Sequence, residues 1–109
     1  MIVITPTGGR PEAFALLARY LNAQTLPAFR WLIVDDCDPA TPVPVMRDGI
    51  EVEVIRPSWR WQPGQNTQAM CMAVALKRVP DDACVAVCED DDWIGPTHLE
   101  MTAACLRSV

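Results

Sequence analysis

The sequence lacks the patterns that usually build zinc sites and membrane spans. It has one histidine and no Cys-x-x-Cys pair, so a zinc site is not expected. The five cysteines are instead expected to be reduced and mostly buried. No apolar run approaches the ~20 residues that cross a bilayer, and the first residues lack the basic region and cleavage site of a secretory signal. The resulting expectation is a cytoplasmic protein without a transmembrane segment.

Basic residues are also scarce. Nine Lys and Arg stand against 14 Asp and Glu, which gives a net charge of −5. Proteins that bind the phosphate backbone of nucleic acids are usually basic, because counterion release requires Lys and Arg. The composition therefore argues against nucleic acid as a partner, and a negatively charged ligand would need a metal ion or a local positive group. With 109 residues, half of them hydrophobic, we expect one domain that spans residues 1–109.

Apolar and amphipathic segments alternate along the chain. Strands are predicted at "MIVIT", "RWLIVDDCD", "IEVEVIR" and "ACVAVC", and helices at "PEAFALLARYLNAQ", "TQAMCMAVALKRV" and "PTHLEMTAACLRSV". The order β-α-β-β-α-β-α predicts the α/β class, with a Rossmann-like three-layer α/β/α arrangement and a mainly parallel sheet of about four strands. The third strand alternates polar and apolar residues, which predicts one wetter face and a place near an edge.

Three of the predicted strands end in unusual residues: "TPTGGR", "DDCD" and "EDDDW". In parallel sheets the carboxyl ends of the strands meet at one edge, where ligands bind. The four acids from Glu89 to Asp92 are hard oxygen ligands of the kind that Mg²⁺ and Mn²⁺ prefer. The alternative is a solvated loop whose charge favours the helix that begins near Pro96.

Two further strand ends have two interpretations each. Gly8 and Gly9 allow backbone N–H groups to approach a phosphate, or they form a plain turn. Asp35 and Asp36 accept hydrogen bonds from a ribose or a base, or they end the strand as a solvated turn.

The ordered set of these motifs resembles family 2 glycosyltransferases, which have the GT-A fold. "VITPTGGRPEAFALLARYLNAQTLPAFRWLIVDD" is similar to the opening of that family, and "CEDDDWIGPTHLE" is similar to its aspartate-x-aspartate motif. The resemblance covers nearly the whole chain and implies the nucleotide-binding half of a GT-A fold. It implies an inverting hexosyl transfer from a nucleotide-diphosphate sugar, with a UDP-sugar as the first candidate, to an unknown acceptor.

The resemblance also implies site residues. It places six residues at the nucleotide, with Arg10 near the phosphates: Pro6, Thr7, Gly8, Arg10, Asp36 and Asp90. Asp91 is the implied ligand of Mn²⁺ or Mg²⁺, and Glu89 assists at the metal through water or at the ribose. Asp92 exchanges with Asp91 if the register shifts by one residue. An exposed position at the start of a helix is the other interpretation of Arg10.

The sequence departs from the family in ways that limit the assignment. Gly8 and Gly9 stand where the family often has an aromatic residue and an Asn, and Gln68 stands near a common Arg. The family's second half supplies the acceptor pocket and the catalytic base, and the 109 residues end just after the metal motif. The catalytic base is therefore unknown. The alternative function is a non-catalytic nucleotide-binding or interaction module of the same fold.

A few residues outside the main motifs have open roles. His98 either starts a helix at the surface or adds a metal ligand, and Trp59 and Trp61 either form a platform for a sugar, bind a partner or pack on the sheet edge. Three polar residues before or at the second helix contact a ligand or cap the helix: Gln65, Asn66 and Gln68. If a domain of this size leaves an apolar face uncovered, self-association into a homo-oligomer is expected.

Overall fold

A computed structural model describes residues 1–108 as four strands and three helices in the predicted order. Val109, which ends both the predicted domain and the predicted third helix, lies outside the described residues. None of the helices in residues 1–108 has the length and apolar composition to span a membrane. The elements are β1 (Ile2–Thr7), α1 (Pro11–Asn22), β2 (Phe29–Asp35), β3 (Ile50–Ile55), α2 (Gln68–Leu76), β4 (Val85–Val87) and α3 (His98–Arg107).

The four strands form one parallel sheet in the order β3-β2-β1-β4. Helices α1 and α3 pack on one face of this sheet, and α2 packs on the other. This arrangement confirms the predicted three-layer α/β/α fold with a parallel sheet of four strands. Because every strand runs in the same direction, the loops after β1, β2 and β4 leave the sheet at the same edge.

The apolar face predicted for α1 is buried against the sheet. Its four core residues are all at most 1% exposed: Phe14, Leu17, Ala18 and Leu21. The Phe14 ring stacks on Trp31 of β2, with ring centroids 5.3 Å apart. The indole Nε1 of Trp31 donates a hydrogen bond to Thr5 Oγ1 at 2.9 Å, which satisfies its polar group inside the core.

Strand β3 lies at the edge of the sheet, as its sequence pattern predicts. The expectation of a single wetter face does not hold in the middle of the strand, since Val52 and Val54 on its apolar side are 36% and 42% exposed. Both residues stand beside the core residues Trp31 and Ile33 of β2, but on the outermost strand. The helices cover mainly β1 and β2, so the middle of β3 has solvent on both faces.

The cysteines are free thiols, but the expectation that most of them are buried is wrong. Only Cys71 and Cys88 are buried, and burial raises the pKa of the Cys71 thiol to about 12 and that of Cys88 to about 11. Cys84 precedes the short edge strand β4 and Cys105 lies on the outer side of α3, and both are exposed. Apolar sequence neighbours are therefore a poor guide to burial in this half of the chain.

Candidate functional site

A cavity of about 380 Å³ lies at the carboxyl edge of the sheet. Its volume is within the range of about 300–1,000 Å³ that is usual for small-molecule sites. Residues from the predicted strand ends meet there, together with residues from the loop before α2 and its first turns. The lining residues are Pro6, Thr7, Gly8, Arg10, Asp36, Trp61, Gln65, Asn66, Thr67, Gln68, Cys71, Glu89, Asp90 and Asp91.

Hydrogen bonds join three of the strand ends directly. Thr7 Oγ1 donates to Asp90 Oδ2 at 3.1 Å, and the backbone N–H of Asp36 donates to the carbonyl of Thr7 at 3.1 Å. Asp90 is buried, and this desolvation raises the pKa of its carboxyl above the usual value, while the hydrogen bond from Thr7 and the charge of Arg10 lower it in part. The side chain of Asp90 and the backbone of Asp36 are therefore both held to the end of β1.

Asp36 is held almost completely out of solvent, with 1% of its surface exposed. Its Oδ2 accepts hydrogen bonds from Trp59 Nε1 at 2.9 Å and from Thr67 Oγ1 at 2.5 Å, and the Cys71 thiol approaches it at 3.7 Å. Its Oδ1 lies beside Gly8 in the cavity wall. The carboxylate is thus oriented by donors on Oδ2, while Oδ1 accepts no hydrogen bond from the described residues.

Asp35, the first acid of the same pair, has a different environment. Its carboxylate accepts hydrogen bonds from the backbone N–H groups of Cys37 and Thr41, from Thr41 Oγ1 and from Arg56 Nη1, at 2.8–3.0 Å. Asp35 does not appear among the described residues that line the cavity. Its contacts indicate a structural role at the end of β2 rather than contact with a ribose.

The four acids after β4, Glu89 to Asp92, form a tight turn, which we call the acid turn. One carboxylate oxygen from each of Glu89, Asp91 and Asp92 lies within 4.8 Å of the other two. Gln68 Nε2 donates to Glu89 Oε1 at 2.5 Å, and the backbone N–H of Glu89 donates to Asp92 Oδ2 at 2.9 Å. Three oxygen donors at this spacing fit a small divalent cation that keeps part of its water shell. His98 begins α3 at an exposed position and is not a member of this group.

Arg10 brings a positive charge to the same acids. It immediately precedes α1, and its Nη1 donates to Asp91 Oδ2 at 2.7 Å and lies 3.7 Å from Asp90 Oδ1. Arg10 is exposed at the start of the helix, as one interpretation expects, and it also lines the cavity, while its position near a phosphate stays a prediction. The guanidinium offsets part of the repulsion between the neighbouring carboxylates.

The close approach of neighbouring groups explains the glycine pair after β1. A Cβ at Gly8 would collide with Oδ1 of Asp36, and a Cβ at Gly9 would lie 2.5 Å from the ring of Trp61. Gly9 also has a φ of 76°, a backbone conformation that favours glycine. Trp61 itself is fixed by its backbone N–H, which donates to the carbonyl of Asp36 at 2.6 Å.

Gly8→Ala is expected to destabilise the protein by about 1–3 kcal/mol, because the new methyl group displaces a carboxylate that two strong donors hold in place. Urea unfolding followed by circular dichroism would measure this change. Gly95→Ala is the matched control, since a Cβ at Gly95 meets no atom within 4 Å. Equal stabilities of the two variants would contradict the proposed contact between residue 8 and Asp36.

The structure brings all six predicted nucleotide residues to the cavity wall, with Glu89 and Asp91, while Asp92 is exposed in the same turn and is not among the described lining residues. Thr67 and Cys71 also line the cavity, although neither was predicted to be a site residue. Thr67 precedes α2 and gives an N-cap signal in the sequence, but it makes no capping bond from its side chain and donates to Asp36 instead. Trp59 packs beside α2 and donates to Asp36, which agrees with packing on the sheet edge.

No protein-family model and no curated protein match the chain. Among solved structures, S. aureus TarS 1–349 in complex with UDP-GlcNAc matches with a TM-score of 0.69 and 24% identity, over 98% of this chain and 31% of that chain. The same protein in complex with UDP matches with a TM-score of 0.66 and 23% identity, over 98% and 32%. Another structure of S. aureus TarS, of which this chain covers 19%, matches with a TM-score of 0.66 and 23% identity.

The chain thus spans about a third or less of the TarS chains that it matches. The likeness extends over nearly the whole of the present chain and confirms the predicted fold, a three-layer α/β/α arrangement around a parallel sheet.

Proposed function

We propose that the chain binds a nucleotide-diphosphate sugar through a divalent cation and forms the donor-binding part of an inverting glycosyltransferase of the family 2 type. A UDP-sugar is the first candidate for the donor, and Mn²⁺ or Mg²⁺ is the candidate cation. The observation that carries the proposal is the meeting of the acid turn with Thr7, Gly8 and Asp36 in one cavity. A fold shared with a protein solved in complex with UDP-GlcNAc and with UDP supports it.

The donor atoms of the acid turn suit a divalent cation better than any other ligand. Glu89, Asp91 and Asp92 offer carboxylate oxygens only, and each is exposed or partly exposed, so water and phosphate oxygens can complete the coordination. We assign the three carboxylates to this cation, with Asp91 at the cavity wall as the principal ligand. A bound cation would stabilise the negative charge that develops on the departing diphosphate.

The charge of the cavity also favours this assignment. Among the described lining residues there are four carboxylates and one basic side chain, Arg10. A diphosphate would be repelled from such a wall unless a cation lay between them. Arg10 pairs with Asp91 in the present structure, at 2.7 Å. When Asp91 binds a cation, the guanidinium becomes available to a phosphate oxygen in the same cavity.

The transfer reaction requires one group beyond this site. In an inverting transfer a carboxylate takes the proton of the acceptor hydroxyl, the hydroxyl oxygen bonds to the anomeric carbon, and the bond from that carbon to the diphosphate breaks. The residues described above account for the binding and departure of the diphosphate. The acceptor and the base that serves it are left unassigned.

Isothermal titration of UDP into the purified protein tests the proposal. We expect heat of binding in the presence of Mn²⁺ and its loss after addition of EDTA, because the carboxylates require the cation to hold a diphosphate. Release of UDP from UDP-GlcNAc, measured over hours, then separates a transferase from a binding module without turnover. Absence of binding by UDP, GDP and dTDP with the metal present would contradict the proposed function.

A further inference from the structure

Trp61 is the one aromatic side chain among the described residues that line the cavity. Its ring lies against Gly9, its backbone N–H donates to the carbonyl of Asp36 at 2.6 Å, and its Nε1 donates to the carbonyl of Gln65 at 3.0 Å. A residue whose backbone is fixed, and whose ring is held at Nε1 and packed against a glycine, offers a preorganised surface. A flat ligand that lies on it therefore loses little side-chain entropy from the protein.

The surroundings of Trp61 suit one kind of flat ligand. Asp36 is joined to Trp61 through the backbone, and its Oδ1 remains available beside Gly8. A rigid aromatic ring beside a fixed carboxylate acceptor can stack on a nucleobase while the carboxylate accepts an N–H of the same base. The acid turn contacts Arg10 and Gln68 instead, so the ring and the cation ligands belong to separate parts of the cavity wall.

We propose that Trp61 stacks on the nucleobase of the bound nucleoside diphosphate and supplies most of the affinity that exceeds that of the diphosphate alone. This inference rests on the proposed function, since it requires the diphosphate to be held at the acid turn. It assigns to Trp61 a contact with the base rather than with the transferred sugar. UDP distinguishes these two contacts, because UDP carries a base and no transferable sugar.

Calorimetric titrations of UDP and of inorganic diphosphate, both with Mn²⁺, test the role of Trp61. We expect Trp61→Leu to raise the Kd for UDP by about 5- to 150-fold, the range that follows from measured base–aromatic stacking energies. The Kd for inorganic diphosphate should not change, and Trp61→Phe should retain most of the affinity for UDP. Trp93→Leu is the matched control, because Trp93 is 76% exposed and does not line the cavity.

A spectroscopic measurement covers the case in which Trp61→Leu fails to fold. Stacking on a base should quench indole emission, so UDP should lower the fluorescence of the wild-type protein and inorganic diphosphate should not. This quenching should disappear in Trp61→Phe and persist in Trp93→Phe.

Several results would overturn the role of Trp61. If wild type and Trp61→Leu bind UDP equally, or if Trp61→Leu loses UDP and inorganic diphosphate to the same extent, Trp61 does not stack on the base. UDP binding without quenching that depends on Trp61 leads to the same conclusion. If the wild-type protein binds neither ligand in the presence of Mn²⁺, the proposed function fails and this inference fails with it.

Discussion

Asp91→Ala is expected to abolish metal-dependent binding of UDP while the protein remains as stable as the wild type. Replacement of groups that only support a metal ligand typically costs 10- to 100-fold in metal affinity, so loss of the principal ligand should raise the Kd for UDP by at least about 100-fold. The side chain of Asp91 is 50% exposed, and its partner Arg10 is 58% exposed. An ion pair at this exposure contributes only about 0–1 kcal/mol to folding.

Titration of UDP with Mn²⁺, together with urea unfolding, measures both parts of this prediction. Asp82→Ala is the matched control. It removes the same charge from an exposed turn before β4, at the amino ends of the strands and therefore away from the cavity. Its affinity for UDP should equal that of the wild type. An unchanged Kd in Asp91→Ala would exclude the acid turn as the cation site, and a large loss of stability would indicate a structural role for Asp91.

The sequence was sufficient to predict the fold because the relevant signals are local. Buried strands and amphipathic helices alternate, and the apolar spacing of "PEAFALLARYL" alone identifies the buried face of α1. A parallel sheet follows from this alternation, and the meeting of strand ends at one edge follows from the parallel sheet. The predicted convergence of Thr7, Asp36 and the acid turn is therefore a geometric consequence of the fold.

The contacts that separate Asp35 from Asp36 could not be predicted, because they depend on residues distant in sequence. Both acids end the same strand, and both are 1% exposed. The partners of Asp35 include Thr41 and Arg56, which are 6 and 21 residues away. Those of Asp36 include Thr67, 31 residues away in a loop without regular structure. No local pattern determines which loop residue meets which acid.

The position of Trp61 has the same explanation. Its location against Gly9 depends on the path of the loop between β3 and α2, for which hydrophobic periodicity gives no information. The exposure of Val52 and Val54 likewise depends on how far the helices extend over the edge strand. The helices and strands and the meeting of their ends were therefore predictable, whereas the exposure of the edge strand and the contacts of the loop between β3 and α2 were not.

Asp35→Ala is expected to reduce the free energy of unfolding by about 3–5 kcal/mol, the usual cost of removing one partner of a buried ion pair. The carboxylate is 1% exposed, and its loss leaves Arg56, with 30% of its side chain exposed, without its partner at 2.8 Å. It also leaves the N–H and hydroxyl groups of Thr41 without their acceptor. Domains of this size are stable by about 5–15 kcal/mol, so the expected loss is a large share of the total stability.

Urea unfolding followed by tryptophan fluorescence measures this loss, with Asp48→Ala as the control because Asp48 is an exposed acid in the turn before β3. Asp35→Ala, at the end of β2, and Asp91→Ala, in the acid turn, should then have opposite effects on stability and on UDP binding. Asp35→Ala should lose stability, while protein that stays folded should still bind UDP with Mn²⁺, since Asp35 does not line the cavity. Asp91→Ala should lose binding and remain folded. A stability of Asp35→Ala within about 1 kcal/mol of the wild type would show that its hydrogen bonds do not hold the end of β2.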